Sequence, residues 1–137
     1  MQPITPIVRN LLIINIAIYI IEMIFLTPSH IRLSEYLGLY YFGISEFKWY
    51  QIVTNFFLHA GTSHLVFNMF SLYSVGSLLE RVWGSKRFFN FYMICGVGAS
   101  IMHLMSIAVP VYLKTGHLML SYNDISLVQG DINSVAI

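Results

Sequence analysis

The chain has 137 residues, of which 57% are hydrophobic and only 9% are charged, and its formal net charge is +1. Soluble domains carry about 25% charged residues, so this composition excludes an ordinary water-soluble protein and predicts an integral membrane protein whose main partner is the lipid bilayer. The charge balance lacks the basic field that nucleic-acid binding requires. A single cysteine, Cys95, excludes an intrachain disulfide and a cysteine-rich zinc site, and its apolar neighbours favour a small buried hydrophobe.

Three apolar stretches have the length of about 20 residues that a membrane-spanning helix needs. They are residues 7–26, 64–82 and 88–109. Pro28, Gly84 and Pro110 follow these stretches closely, and proline and glycine are typical of the positions just beyond a helix. The pattern therefore predicts an all-α, polytopic protein with three transmembrane helices.

The segment between the first two helices, residues 27–63, is rich in aromatic residues but is interrupted by Gly38, Gly43 and Glu46. Tyrosine and tryptophan favour the headgroup level of a bilayer, so we expect one or two short amphipathic segments lying in the membrane interface. Aromatic residues also favour strands, which leaves a soluble β-ribbon as the alternative. The tail, residues 110–137, has a mixed composition and no spanning run.

The link between the second and third helices carries Arg81, Lys86 and Arg87 within a few residues. Such a density of positive charge near helix ends marks the cytoplasmic side of a membrane protein. With three helices, this predicts a cytoplasmic N-terminus and an outward-facing aromatic segment and tail.

The second helix has a polar face in an otherwise apolar sequence. His64 and Asn68 are four residues apart, so they lie on one face, and Ser71 continues it. Polar groups in a membrane generally face a bundle interior or a wet cavity. Three interpretations remain open: hydrogen bonds between helices, a metal site, or a stabiliser of a developing oxyanion. Zinc needs at least three ligands, and the available set would be His59, His64 and His103, without a nearby carboxylate.

Two stretches, "HAGTSHLVFNM" and "GSLLERVWGSKRFFNFYMICGVGA", resemble the second and third helices of rhomboid proteins, the intramembrane serine proteases. The resemblance extends over about residues 1–108 and includes the aromatic segment. It implies a six-helix bundle, of which this chain holds three helices, with a membrane-lying first loop. It also implies cleavage of single-span membrane proteins without a cofactor, in a bacterial inner membrane.

The resemblance assigns roles to particular residues. His64 and Asn68 match the family's oxyanion stabilisers, while His59 matches a histidine with a structural role. Glu80 and Arg81 match an acidic–basic pair at the end of the second helix, which we interpret as a structural ion pair. The family's nucleophile is a serine in a G-x-S-G motif, and its base is a histidine; both lie on later helices.

The sequence contains no G-x-S-G motif. A partial match is Gly98-Ala99-Ser100, but Ile101 stands where the final glycine belongs, and the stretch lies on the third helix. We therefore interpret Ser100 as a small residue that packs together with Gly96, and His103 as an intramembrane histidine with its own hydrogen-bond partner.

These observations predict the N-terminal half of a rhomboid protease, truncated before the nucleophile and inactive by itself. A natural, non-catalytic relative that binds transmembrane segments is the alternative, and a small transporter subunit explains the motifs least well. Because polar groups are costly in hydrocarbon, we expect the isolated chain to be unstable, self-associated, or bound to the missing C-terminal helices or another partner helix.

Overall fold

The computed structural model describes residues 3–26 and 32–120. Every regular element in these ranges is helical, so the all-α prediction is confirmed there and the β-ribbon alternative is wrong for the described part of residues 27–63. The predicted end of the first helix at Pro28 and the tail beyond residue 120 lie outside these ranges. In chain order the elements are α1 (Pro6–Ile21), a π-turn (Glu22–Leu26), α2 (Ser34–Leu37), α3 (Gln51–Thr54), a 3-10 turn (Asn55–Phe57), α4 (Thr62–Ser71), a second π-turn (Leu72–Gly76), α5 (Ser77–Trp83) and α6 (Ser85–Thr115).

Two helical stretches of the described chain are long and apolar enough to cross a bilayer. They are Pro6–Ile24 and Ser85–Thr115, with mean hydropathies of 2.0 and 1.8. Between them, α4, the second π-turn and α5 follow one another without a break, and we call residues 62–83 the central rod. The role of the central rod as a third span, and the wider six-helix bundle, stay predictions.

The third predicted helix does not end at Pro110, as we expected, because α6 continues through this residue to Thr115. Proline removes one backbone hydrogen bond and crowds the preceding turn. Packing offsets this cost: Val111 is fully buried and contacts Tyr41 and Ile107 in a small core. The helix ends where Gly116 adopts a φ of 78°, a backbone conformation that favours glycine.

The described chain divides into two compact units, and the first comprises Met1–Leu33 and Phe57–Cys95. Its core is formed by Val8 and Leu11 of α1 with Phe88 at the start of α6. Gly76 lies against this core, where an added Cβ would come within 3.1–3.3 Å of side-chain atoms of its neighbours. The missing side chain therefore allows the central rod to approach α1 closely.

The second unit comprises Ser34–Phe56 and Gly96–Ile137. Residues 34–56 of the aromatic segment therefore belong to this unit. Tyr41 is 1% exposed, and its hydroxyl donates a hydrogen bond to the Leu118 carbonyl at 3.0 Å. Burial raises the pKa of Tyr41 above its ordinary value, so the phenol stays a donor over a wider range of alkaline pH. The aromatic segment is thus held to the C-terminal end of α6 by a buried ring and one directional bond.

A second contact in this unit joins the short helix α3 and its 3-10 turn to the middle of α6. The Phe56 ring lies over Gly96, and the Ser100 hydroxyl donates to the Ile52 carbonyl at 3.0 Å. The Asn55 amide donates to Ser100 Oγ at 3.1 Å. Gly96 and Ser100 are therefore packing residues, as we predicted, and the segment that packs on them is α3 with its 3-10 turn.

Several side chains differ in burial from what an apolar sequence suggests. Cys95 is exposed, so its interpretation as a buried hydrophobe is wrong. Trp49 and Tyr36 of the aromatic segment are 79% and 60% exposed. Such exposed rings are typical of the membrane interface.

Candidate functional site

The candidate site lies at the beginning of the central rod, in the first unit. Thr62 is the first residue of α4, and its hydroxyl lies 2.7 Å from the hydroxyl of Tyr19 on α1. This hydrogen bond fixes the start of the central rod against α1. His64 and Asn68 follow within the next two turns, so their backbones are held by a helix whose beginning is anchored.

His64 and Asn68 lie one helical turn apart on the same face of α4, and both side chains are exposed in this chain. An imidazole and a carboxamide each provide an N–H donor, and two such donors on one face can stabilise an anionic oxygen placed beside them. The helical geometry thus brings together the two residues that the sequence pattern paired.

His59 precedes α4, yet the fold brings its ring to that of His64. The ring centroids are 5.5 Å apart and the planes meet at 62°, an edge-to-face arrangement. His59 is half-buried, and its Nδ1 has no hydrogen-bond partner in the described chain. Among the described residues no three histidine, cysteine or acidic side chains cluster as a metal site would require, so the metal interpretation gains no support.

Burial, and to a lesser degree the neighbouring His64, lowers the pKa of His59 below its ordinary value of 6.5. The Phe57 carbonyl, which favours the charged form, opposes this only in part. Folding therefore favours the neutral ring of His59, which contacts the His64 ring edge to face.

We expect the first unit to lose stability as the pH falls below about 6.5, because the unfolded His59 then binds a proton that the folded ring resists. Above that value both states are neutral and the contribution of His59 is constant. Thermal unfolding of the purified chain between pH 5 and 8 measures this slope, and His59→Gln should flatten it. An equally steep slope in the variant would assign the pH dependence to another group.

Glu80 lies at the other end of the central rod, with a side chain that is 3% exposed. Its two carboxylate oxygens accept hydrogen bonds from the backbone N–H groups of Ile7 and Val8, each at 3.0 Å. The Ser85 hydroxyl donates to the same carboxylate at 2.6 Å. Thr5 makes no side-chain cap at the start of α1, so the carboxylate of Glu80 provides the cap and the negative charge that a helix N-terminus favours.

Arg81 lies beside this network, and its Nη2 donates to the Pro3 carbonyl at 2.7 Å. Our interpretation of Glu80 and Arg81 as an ion pair stays a prediction, since the described contacts of Glu80 are to amides and a hydroxyl. The roles of Tyr19, Thr62 and Ser85 were not predicted from the sequence. Only Ser85 had a signal, because it lies in the stretch after Trp83 and Gly84 that resembles the rhomboid family.

Comparison with known proteins leads to the same class of protein as the apolar helices do, a membrane protein. The family model of the Rhomboid domain matches residues 46–116. Rhomboid protease GluP of Bacillus subtilis (strain 168) is 41% identical over 58 residues, which cover 42% of this chain and 11% of that protein. Rhomboid protease AarA of Providencia stuartii is 30% identical over 98 residues, or 67% of this chain and 34% of that protein.

A plant protein belongs to the same set: Rhomboid-like protein 11, chloroplastic, of Arabidopsis thaliana is 35% identical over 92 residues, or 67% of this chain and 30% of that protein. The match thus spans well under half the length of each of these relatives. No solved structure matches the chain. The apolar helices and these similarities indicate an integral membrane protein. More narrowly, the chain belongs to the rhomboid family.

Proposed function

We propose that residues 1–137 form the N-terminal part of an intramembrane serine endopeptidase that cleaves single-span membrane proteins. The observation that carries this proposal is the pair of His64 and Asn68, one turn apart and exposed on α4 within the matched Rhomboid domain. In this role the two side chains stabilise the oxyanion that forms when a serine attacks the scissile carbonyl.

The polar character of the pair supports a hydrated groove over a lipid-facing position. An exposed imidazole and carboxamide in hydrocarbon would each leave donors unsatisfied, at a cost of several kcal/mol. The central rod is about 33 Å long at 1.5 Å per residue, enough to cross a hydrocarbon core of about 30 Å. We infer that it is the second span and that further helices close the groove over its polar face.

The 137 residues contain neither a G-x-S-G motif nor its serine, so we propose that they do not cleave substrates by themselves. Purified chain in liposomes should show no labelling by a fluorophosphonate probe and no cleavage of single-span reporter proteins. Labelling that disappears in Ser100→Ala would overturn this assignment, because Ser100 would then be a nucleophile.

The catalytic proposal predicts a gain of activity when residues 1–137 are joined to a rhomboid segment that carries G-x-S-G and a later histidine. In that protein, Asn68→Ala should lower kcat by about a hundredfold, the usual effect of losing one oxyanion donor. Ser71→Ala is the matched control, since the Ser71 hydroxyl already donates to the Phe67 carbonyl. Equal losses in both variants would contradict the assigned role, and co-purification of uncleaved single-span proteins would instead favour the non-catalytic alternative.

A further inference from the structure

The beginning of α6 has an exposed face whose polarity changes along the helix axis. Arg87, Phe91 and Ile94 have the i, i+4, i+7 spacing that places side chains on one face of a helix. Arg87 is exposed, and Phe91 and Ile94 are 42% and 71% exposed. The rise of 1.5 Å per residue puts Ile94 about 10 Å along the axis from Arg87. This face of α6 therefore presents a cation, then an aromatic ring, then an aliphatic side chain.

Trp83, the last residue of α5, lies beside this face. The chain turns at Gly84, which has a φ of 81°, and the Trp83 ring packs edge to face on Phe91, with centroids 5.1 Å apart and planes at 84°. The indole is 39% exposed, and its N–H has no acceptor among the described residues. An apolar ring with a free N–H is typical of the headgroup level of a bilayer. We call Trp83, Arg87, Phe91 and Ile94 the amphipathic stripe.

The cationic end of the amphipathic stripe is open to an anion from outside the chain. Lys86 and Arg87 are exposed, and neither side chain forms a hydrogen bond or ion pair with a described residue. The acid at this end of the first unit, Glu80, is 3% exposed, and its carboxylate already accepts from two backbone amides and a hydroxyl. The other acid among the unit's described residues is Glu22, about 22 Å along α1 from Ile7, which exceeds the screening length of about 8 Å.

We propose that the amphipathic stripe binds an anionic phospholipid of the surrounding bilayer. The phosphate lies at Arg87 with Lys86 beside it, an ester carbonyl accepts from the Trp83 N–H, and an acyl chain runs along Phe91 and Ile94. Cations beside a transmembrane helix attract anionic headgroups, and tryptophan favours the headgroup level. A free phosphate would use only the cations. A helix packed on the apolar side chains would leave the cations and the indole N–H unused, so a lipid fits the whole stripe best.

Quenching of Trp83 fluorescence tests this proposal with the full chain in phosphatidylcholine vesicles, in a Trp49→Phe background. A small fraction of the lipid is replaced by phosphatidylglycerol or phosphatidylcholine with identical brominated acyl chains, which quench an indole on close contact. Phosphatidylglycerol should bind beside Trp83 at least about fivefold more tightly, since each nearby cation contributes about 1 kcal/mol. Arg87→Gln should lower this preference about fivefold, and Arg87→Lys, which keeps the charge, should retain it.

Lys48→Gln is the matched control, because Lys48 is an exposed cation of the second unit whose ammonium donates to the Ser45 carbonyl. It should leave the lipid preference at Trp83 unchanged. Equal quenching by the two brominated lipids, or a preference that survives Lys86→Gln combined with Arg87→Gln, would overturn the proposal. So would a preference abolished by inorganic phosphate at constant ionic strength, which would assign the cations to a free anion. Absence of quenching by either lipid would likewise overturn it and assign the face to a second copy or another helix.

Discussion

Replacing Glu80 by glutamine should destabilise the first unit by about 3 kcal/mol. The carboxylate is buried and accepts three hydrogen bonds, from the Ile7 and Val8 amides and from Ser85. Hydrogen bonds to a charged group contribute about 1.5–3 kcal/mol, and a glutamine side chain turns an N–H donor toward one of the existing donors. The start of α1 loses its cap and the end of the central rod loses its attachment to it.

The measurement is unfolding by sodium dodecyl sulfate in mixed micelles, followed by the fluorescence of Trp83 in a Trp49→Phe background. Glu46→Gln is the control, because Glu46 is an exposed carboxylate whose described side-chain contact is to the adjacent Ser45 hydroxyl. Ser85→Ala removes one donor of the three and should cost about 1 kcal/mol. If Glu80→Gln and Glu46→Gln unfold at the same denaturant concentration, the capping role is wrong.

Gly96→Leu should disrupt the second unit by about 3 kcal/mol or more. A Cβ at this position would come within 2.5 and 2.6 Å of two ring carbons of Phe56, closer than packed carbon atoms lie. The ring is a rigid side chain on the 3-10 turn, so it must leave α6 and take with it the hydrogen bond from Ser100 to the Ile52 carbonyl. Overpacking of this kind costs about 1–3 kcal/mol, and the lost hydrogen bond adds to it.

Gly98→Leu is a closely matched control, because it lies two residues away on the same helix and an added Cβ there meets nothing within 4 Å. Both substitutions change helix propensity equally, so the difference between them isolates the Phe56 contact. Trp49 fluorescence in a Trp83→Phe background reports on the second unit. Similar unfolding curves for the two variants would show that the segment before α4 is not held by α6.

The helices and the polar pair were predictable from the sequence because they depend on local features. Apolar length indicates a membrane helix, and a four-residue spacing places His64 and Asn68 on one face wherever the helix lies. The glycine after Trp83 likewise indicates the end of a helix, and Gly84 has a φ of 81° there. These features follow from the local sequence, so predicting them requires no knowledge of tertiary contacts.

The errors arose where tertiary packing overrides a local rule. Pro110 ends helices in general, but the burial of Val111 beside Tyr41 stabilises the turn beyond it. Cys95 resembles a core residue by its neighbours, yet it faces outward. The hydrogen bonds that cap α1 could not be predicted either, because the Glu80–Ile7 bond joins residues 73 positions apart and no sequence pattern links them.

The Glu80 carboxylate has a consequence for how the chain is assembled during synthesis. When α1 leaves the ribosome, its first amides have no side-chain cap of their own, and their acceptor lies 72 and 73 residues downstream. At about 5–20 residues per second, that acceptor emerges about 4–15 s later. The amino end of α1 therefore has no side-chain cap until the central rod has been synthesised. The contact between these two helices forms after α1 has been inserted, and it marks the step from insertion to folding.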